Sequence, residues 1–190
     1  MRSGKLLLIS GGARCGKSTL AENYAQTSGR EVVYVATSQV LDEEMKERVR
    51  AHRRSRPSTW PTVEEPYALE KVLWQYGRRR ERLLLVDCLT LWLSNILLDK
   101  VGFNGEQLAD SKIGPVIATY ILTRAKNVAA LAAKVPAEVV LVTNEVGWGL
   151  VPENTLARLY RDLAGKTNQA FAAQADEVYM VVAGLPLRLK

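Results

Sequence analysis

The sequence predicts an α/β protein in which a doubly wound, mostly parallel sheet carries helices on both faces. Apolar runs of strand length recur along the chain, segments of helical character separate them, and the first run ends in a glycine-rich turn that opens a helix. At 190 residues, 47% of them hydrophobic, the chain suits a single domain, residues 1–190, with enough apolar material for a sizeable core.

The elements follow in order. KLLLIS, from Lys5, is apolar on both parities, as a strand covered on both faces must be. STLAENYAQTS then reads as the first helix. EVVYVAT, from Glu31, is the second strand, and DEEMKERVRAHRR after it starts with acids and ends with bases, the polarity a helix dipole favours. RLLLVD, from Arg82, leads into the helix LTLWLSNILLDK, and GFNGEQLADSKIGP, Gly102 to Pro115, reads as a mobile loop. IGPVIATYILTRAKNVAALAAK is helical and precedes the strand EVVLVTN, from Glu138. VTNEVGWGLVPEN reads as a structured turn with Pro152 starting the next helix, which runs from Asn154 to Ala175 and feeds EVYMVVAG, from Glu177. LPLRLK adds a candidate edge strand, with Pro186 counting against it. Trp74 and Trp92 fall in apolar helical stretches and are expected to be buried.

A net charge of +6 and a pI near 9.4 imply an anionic partner, either nucleic acid or a phosphorylated small molecule. The arginine run has no interleaved aromatics and shares its helix with Asp42, Glu43, Glu44 and Glu47, which argues against nucleic acid. Cys15 and Cys88 read as reduced thiols of a cytosolic protein. The first apolar run stops after about five residues, too short for a signal h-region, and no stretch approaches the ~18 apolar residues of a membrane span. A cytoplasmic protein is expected.

GGARCGKS, Gly11 to Ser18, matches Gly-x-x-x-x-Gly-Lys-[Ser/Thr] between a buried strand and a helix, where the P-loop motif must sit. Its glycines let successive N–H groups turn toward one anion, Lys17 reaches the β- and γ-phosphates, and the Ser18 hydroxyl is suited to Mg²⁺. Asp87, ending RLLLVD after four apolar residues, is the matching acid for Mg²⁺ held through water. Taken alone, a strand-end Asp is as often a helix cap.

His52, the only histidine, stands in RVRAHRRSRP among Arg48, Arg50, Arg53, Arg54 and Arg56. Two readings are open. The segment is the solvated basic end of a helix, or it is a nucleophile: nearby cations disfavour protonation of a ring whose ordinary pKa is ~6.5, and a neutral imidazole can attack phosphorus.

GGARCGKS, VYVATSQVLDEEMKERVRAHRRSRP, the W-x-T-x-E of Trp60 to Glu64, and VTNEVGWGLVPENTLARLYRDLAGKTNQAFAAQADEVYMVVAG together resemble the bifunctional adenosylcobinamide kinase and adenosylcobinamide-phosphate guanylyltransferase family over essentially the whole chain. The resemblance implies a RecA-like P-loop fold and two reactions. Adenosylcobinamide is phosphorylated by ATP or GTP, and GMP is then transferred from GTP to that phosphate through a guanylylated histidine, giving adenosylcobinamide-GDP. The histidine lies a few residues before an Arg-Pro pair, which here makes it His52, ahead of Arg56 and Pro57.

The same resemblance implies nucleotide contacts from Gly11, Gly12, Ala13, Arg14, Cys15, Gly16, Lys17, Ser18 and Thr19, from Ala36, Thr37 and Ser38, from Arg53, Arg54, Ser55 and Arg56, and from Glu64 and Asp87. Catalysis falls to His52 and Lys17, with Mg²⁺ at Ser18 and Asp87. It further implies a homo-oligomer, a trimer by preference, with no nucleic-acid partner. Asn144 and Glu145 are candidates for ordering the site or binding substrate, and Trp60 and Trp148 for stacking on a corrin or guanine. Arg158, Arg161, Asp162 and Asn168 read as a solvated or packing face. Two rival readings predict different behaviour. A P-loop kinase without nucleotidyl transfer would not need His52, and a nucleic-acid-binding ATPase would shift a labelled oligonucleotide in a salt-dependent way.

Overall fold

The computed structural model describes residues 4–39, 43–54, 56–102, 105 and 113–190, with the side chains at positions 44, 45, 48, 49, 51 and 52 outside that description. Among the described residues, the strands are β1 (Leu6–Gly11), β2 (Glu31–Ala36), β3 (Thr62–Glu64), β4 (Arg82–Asp87), β5 (Glu138–Val142), β6 (Glu177–Val182) and β7 (Leu185–Arg188). The helices are α1 (Lys17–Thr27), α2 (Glu43–Arg54), α3 (Leu69–Tyr76), α4 (Leu89–Val101), α5 (Ile113–Ala132) and α6 (Thr155–Gln174).

One sheet takes all seven strands in the order β3-β2-β4-β5-β1-β6-β7. Every pair is parallel except β6 with β7, where Met180 faces Leu187 in antiparallel register. The expected doubly wound, mostly parallel sheet is therefore present. β5 lies between β1 and β4, so the turn after β1 and the acid ending β4 flank a gap one strand wide, and the end of β5 opens into it.

The double-sided apolar pattern sorts onto two faces with a period of two. Leu6, Leu8, Val33, Val35, Leu84, Val86, Val139 and Leu141 pack with residues of α3, α4, α5 and α6. Their neighbours Leu7, Ile9, Tyr34, Ala36, Leu85 and Val142 pack with Ala21 and Ala25 of α1. The thicker layer is pinned by Trp92 and Phe171, both fully buried, whose rings meet edge to face with centroids 6.5 Å apart. Such a pair adds roughly 0.5–1.5 kcal/mol beyond its area.

Several expectations need correction. Trp74 is not buried but 58% exposed. α3 buries the stripe Leu69, Val72 and Leu73, position 74 lies outside that stripe, and the Arg78 guanidinium sits over the indole face at 5.6 Å. α3 and β3 carry structure where none was expected; β3 is recruited by β2, with Val35 opposite Val63. Pro152 does not start α6. Asn154 is the N-cap, its Oδ1 accepting the Ala157 N–H at 3.0 Å. The loop expected from Gly102 to Pro115 falls mostly outside the described residues, and its last three residues open α5 instead. The edge strand that Pro186 made doubtful does form, at the margin where a missing N–H is tolerated.

Candidate active site

β1 delivers the chain to the cradle at Gly11, whose φ of +152° suits glycine. A Cβ there would lie 2.6 Å from the Val181 carbonyl oxygen and 2.7 Å from Cys15 Sγ. Gly11→Ala is accordingly expected to cost about 2–4 kcal/mol, from overpacking and strain together. The urea midpoint should fall with an unchanged m-value. Gly16, at φ +101°, forms the N-cap of α1. Its conformation turns the loop into the helix, so the helix N-terminus faces the same space.

That space is a cavity of about 600 Å³, lined by the cradle from Ala13 to Thr19 and by the carboxyl ends of β2, β4 and β5. This volume falls in the range of small-molecule sites, and its place at the strand ends is where open α/β sheets bind ligands. Lys17, 6% exposed, donates from Nζ to the Gly12 carbonyl at 2.5 Å and lies 3.7 Å from Cys15 Sγ. Folded back on its own loop, the ammonium is held at the cavity wall without an acidic partner among the described residues, so it can exchange a carbonyl for a phosphate oxygen.

Across the gap stands Asp87, which accepts a hydrogen bond from the Tyr34 hydroxyl at 3.1 Å. Burial first, then the negative charge of Asp87, raises the Tyr34 phenol well above its ordinary pKa, so it is a permanent donor at physiological pH. Arg56 also lines the cavity, with its guanidinium carbon 3.5 Å from the Tyr34 ring centroid. Cys88, next to Asp87, is no thiolate at neutral pH: burial pushes its thiol up to about 11.

The end of β5 closes the third side. Asn144 lines the cavity and donates to Thr90 Oγ1 at 2.8 Å. Its carbonyl accepts from Asn168 Nδ2 at 3.1 Å, while Asn168 Oδ1 accepts from Thr143 at 2.7 Å. Asn168 thus orders the strand end rather than forming a solvated face. Glu145 keeps to its own turn, accepting from Gly147 N–H at 2.8 Å.

The structure gathers most of the expected residues. Ala13, Arg14, Cys15, Gly16, Lys17, Ser18, Thr19, Ala36, Ser38, Arg56 and Asp87 all line the cavity. Gly11 and Gly12 shape the loop from behind. Thr37, fully buried, ties β2 to β4 instead: its hydroxyl donates to the Cys88 carbonyl at 2.7 Å and accepts from the Cys88 N–H at 2.8 Å. Arg53, Arg54 and Glu64 are exposed and do not line this cavity. Ser55 lies outside the described residues, as does the side chain of His52, whose backbone belongs to α2. Sequence reasoning missed Tyr34, Leu91 and Val142 as lining residues. The signal for Tyr34 was parity, since it shares a strand face with Ala36 two residues on.

Two features, a buried lysine closing a glycine cradle and an acid one strand away, answer one chemical need: holding the tail of a nucleoside triphosphate beside a divalent cation. The fold and site define a P-loop nucleotide-dependent transferase. Comparison with known proteins narrows this. The family model described as cobinamide kinase / cobinamide phosphate guanyltransferase matches residues 7–189, and the chain belongs to that family. It is 40% identical over 185 residues to the bifunctional adenosylcobalamin biosynthesis protein CobU of Escherichia coli K12, covering 97% of this chain and 99% of that one. To the bifunctional adenosylcobalamin biosynthesis protein CobP of Pseudomonas aeruginosa it is 43% identical, covering 96% of each. A solved structure from Pyrococcus horikoshii OT3 superposes with a TM-score of 0.55 at 8% identity, covering all of this chain and 88% of that one, which speaks for the fold alone.

Proposed function

We propose that this enzyme performs two successive transfers at the carboxyl edge of its sheet. First, the aminopropanol hydroxyl of adenosylcobinamide takes the γ-phosphoryl group of ATP or GTP. Then a ring nitrogen of His52 attacks the α-phosphorus of GTP; a P–N bond forms, the P–O bond to the β-phosphate breaks, and pyrophosphate leaves. An oxygen of cobinamide phosphate displaces the imidazole, giving adenosylcobinamide-GDP and the free ring. Splitting one transfer into two displacements is the advantage of covalent catalysis.

The observation that carries this reading is the position of Arg56. It reaches the cavity wall beside Asp87 and Tyr34, and His52 precedes it by four residues, so their Cα atoms are at most about 14 Å apart. The segment holding the sole histidine is thereby tethered to the phosphate site. Lys17 neutralises the β- and γ-phosphates, and Arg56 offsets charge as pyrophosphate departs.

The donor set also suits Mg²⁺. Ser18 and Asp87 line one cavity, and no group of three ligating side chains occurs among the described residues. One carboxylate and one hydroxyl, completed by water and phosphate oxygens, is how this cation is commonly held. When bound it would supply charge neutralisation on the bridging phosphate oxygens.

VTNEVGWGLVPEN supplies the surface for the corrin. It leaves the end of β5 at Val142, lines the cavity with Asn144, and a few residues on exposes Trp148 at 78% and Leu150 at 96%, an apolar stretch on a segment that starts at a polar cavity. Trp148→Ala should raise the KM for cobinamide about tenfold, or about 1.4 kcal/mol, while self-guanylylation by GTP is unchanged. Both are read from initial rates and label incorporation.

The working assembly is read as a cytoplasmic homo-oligomer, a trimer; the exposed apolar side chains of Val182, Leu185 and Leu187 at the β6–β7 margin favour covering by another copy. No helix among the described residues is long and apolar enough to cross a membrane. The function is tested by supplying adenosylcobinamide, GTP and Mg²⁺ and separating products. Cobinamide phosphate followed by cobinamide-GDP with pyrophosphate is expected; phosphate transfer alone would leave a simple kinase.

A further inference from the structure

Neither of the two transfers draws on Tyr34 for its chemistry. It is 4% exposed, sits on the α1 side of β2 and lines the nucleotide cavity. Its two polar contacts lie at different parts of the ring. The hydroxyl at the tip donates to Asp87 Oδ2, and no other hydrogen bond to that carboxylate occurs among the described residues. The ring face carries the Arg56 guanidinium at 3.5 Å.

Arg56 is only 9% exposed, and its Nη1 is buried with no hydrogen-bond partner. No described carboxylate lies within ion-pairing distance of it. A buried guanidinium lacking a counter-ion is costly unless something else fixes it and an anion arrives to use it. The ring supplies the fixing through a desolvated cation–π contact. The anion is the nucleotide tail for which the opposite wall is built.

We propose that Tyr34 is a positioning residue with two separable roles: its ring face seats Arg56 as a clamp for the triphosphate, and its hydroxyl turns Asp87 toward the divalent cation. This rests on the reading above that Arg56 serves the triphosphate and Asp87 the cation. A rigid ring fixes the spacing between the two, which a pair of independently mobile side chains would not. Tyr34→Phe keeps the seat and loses the orienting bond. Tyr34→Leu loses both.

The test is binding of a fluorescent GTP analogue, mant-GTP, to the full chain, first in EDTA and then through a magnesium titration. In EDTA, Y34F should bind as the wild type does, whereas Y34L should bind about tenfold more weakly. R56A should match Y34L, and the Y34L/R56A double variant should be no weaker than R56A alone. In magnesium, the midpoint for tightening of nucleotide binding should rise several-fold, about 3–10-fold, in Y34F. Should Y34L fail to fold by circular dichroism, Y34F decides, because it preserves the buried ring. An unchanged magnesium midpoint in Y34F, or an equal loss in EDTA and in magnesium, overturns the proposal. Failure of the wild type to bind mant-GTP would instead remove the functional reading beneath it.

Discussion

His52→Asn is expected to lose guanylyl transfer by a factor on the order of 10⁴ or more, the scale on which deletion of a catalytic nucleophile is felt. Phosphorylation of cobinamide should survive with at least part of its rate, because the cradle that serves it is contributed by β1 and α1 and not by α2. The asymmetry matters more than the size of the loss. A substitution that merely disturbed the fold would depress both reactions, and the wild-type unfolding midpoint of the variant would rule that out. Product analysis from one incubation reads both rates: cobinamide phosphate should accumulate where the wild type carries it on to cobinamide-GDP.

Lys17→Ala is expected to be the opposite kind of lesion. On the proposed reading its ammonium serves both transfers, the γ-phosphoryl group in the first reaction and the departing pyrophosphate in the second being held in the same cradle. Removal of one preorganised electrostatic contact of this kind costs on the order of 10²–10³ in rate, and both reactions should fall together. Lys17→Arg should not restore them, because a planar guanidinium cannot fold back within 2.5 Å of the Gly12 carbonyl through the same small donor. Initial rates for each step, measured at saturating GTP, distinguish this joint loss from the selective one at His52.

Much of the fold is legible because its core strands are apolar on both parities, and burial on both faces is what a parallel sheet between helices demands. Where the pattern thins, legibility goes. β3 is three residues, TVE, with no periodicity of its own; it exists because the edge of β2 offers it a ladder. α3 hides because its eight residues give barely two turns of stripe, and the stripe misled in detail, since Trp74 is apolar yet stands beside the buried face. The cradle was legible because backbone chemistry allows few sequences to wrap an anion. Tyr34 was not, because an aromatic in a buried strand reads as packing, and only three-dimensional register places Ala36 opposite Asp87 with the phenol pointing at the carboxylate. Asn168 was hidden for a similar reason: helical spacing says nothing of the strand end it will meet.

Arg53 and Arg54 show the converse. The family resemblance drew them into the nucleotide set together with Arg56, yet both are exposed, while Arg56, two residues past the end of α2, is buried against the ring. The end of a helix decides which members of a basic run turn inward, and composition carries no trace of it.

The covalent intermediate is open to direct inspection. The chain incubated with GTP and Mg²⁺ in the absence of cobinamide should gain the mass of one GMP unit, fragment analysis should place it on His52, and the bond should break in acid and persist in alkali, as a phosphoramidate does. Addition of cobinamide phosphate should discharge it into cobinamide-GDP. A guanylyl group found on another residue, or a chain that completes the second transfer while never carrying one, would contradict the account.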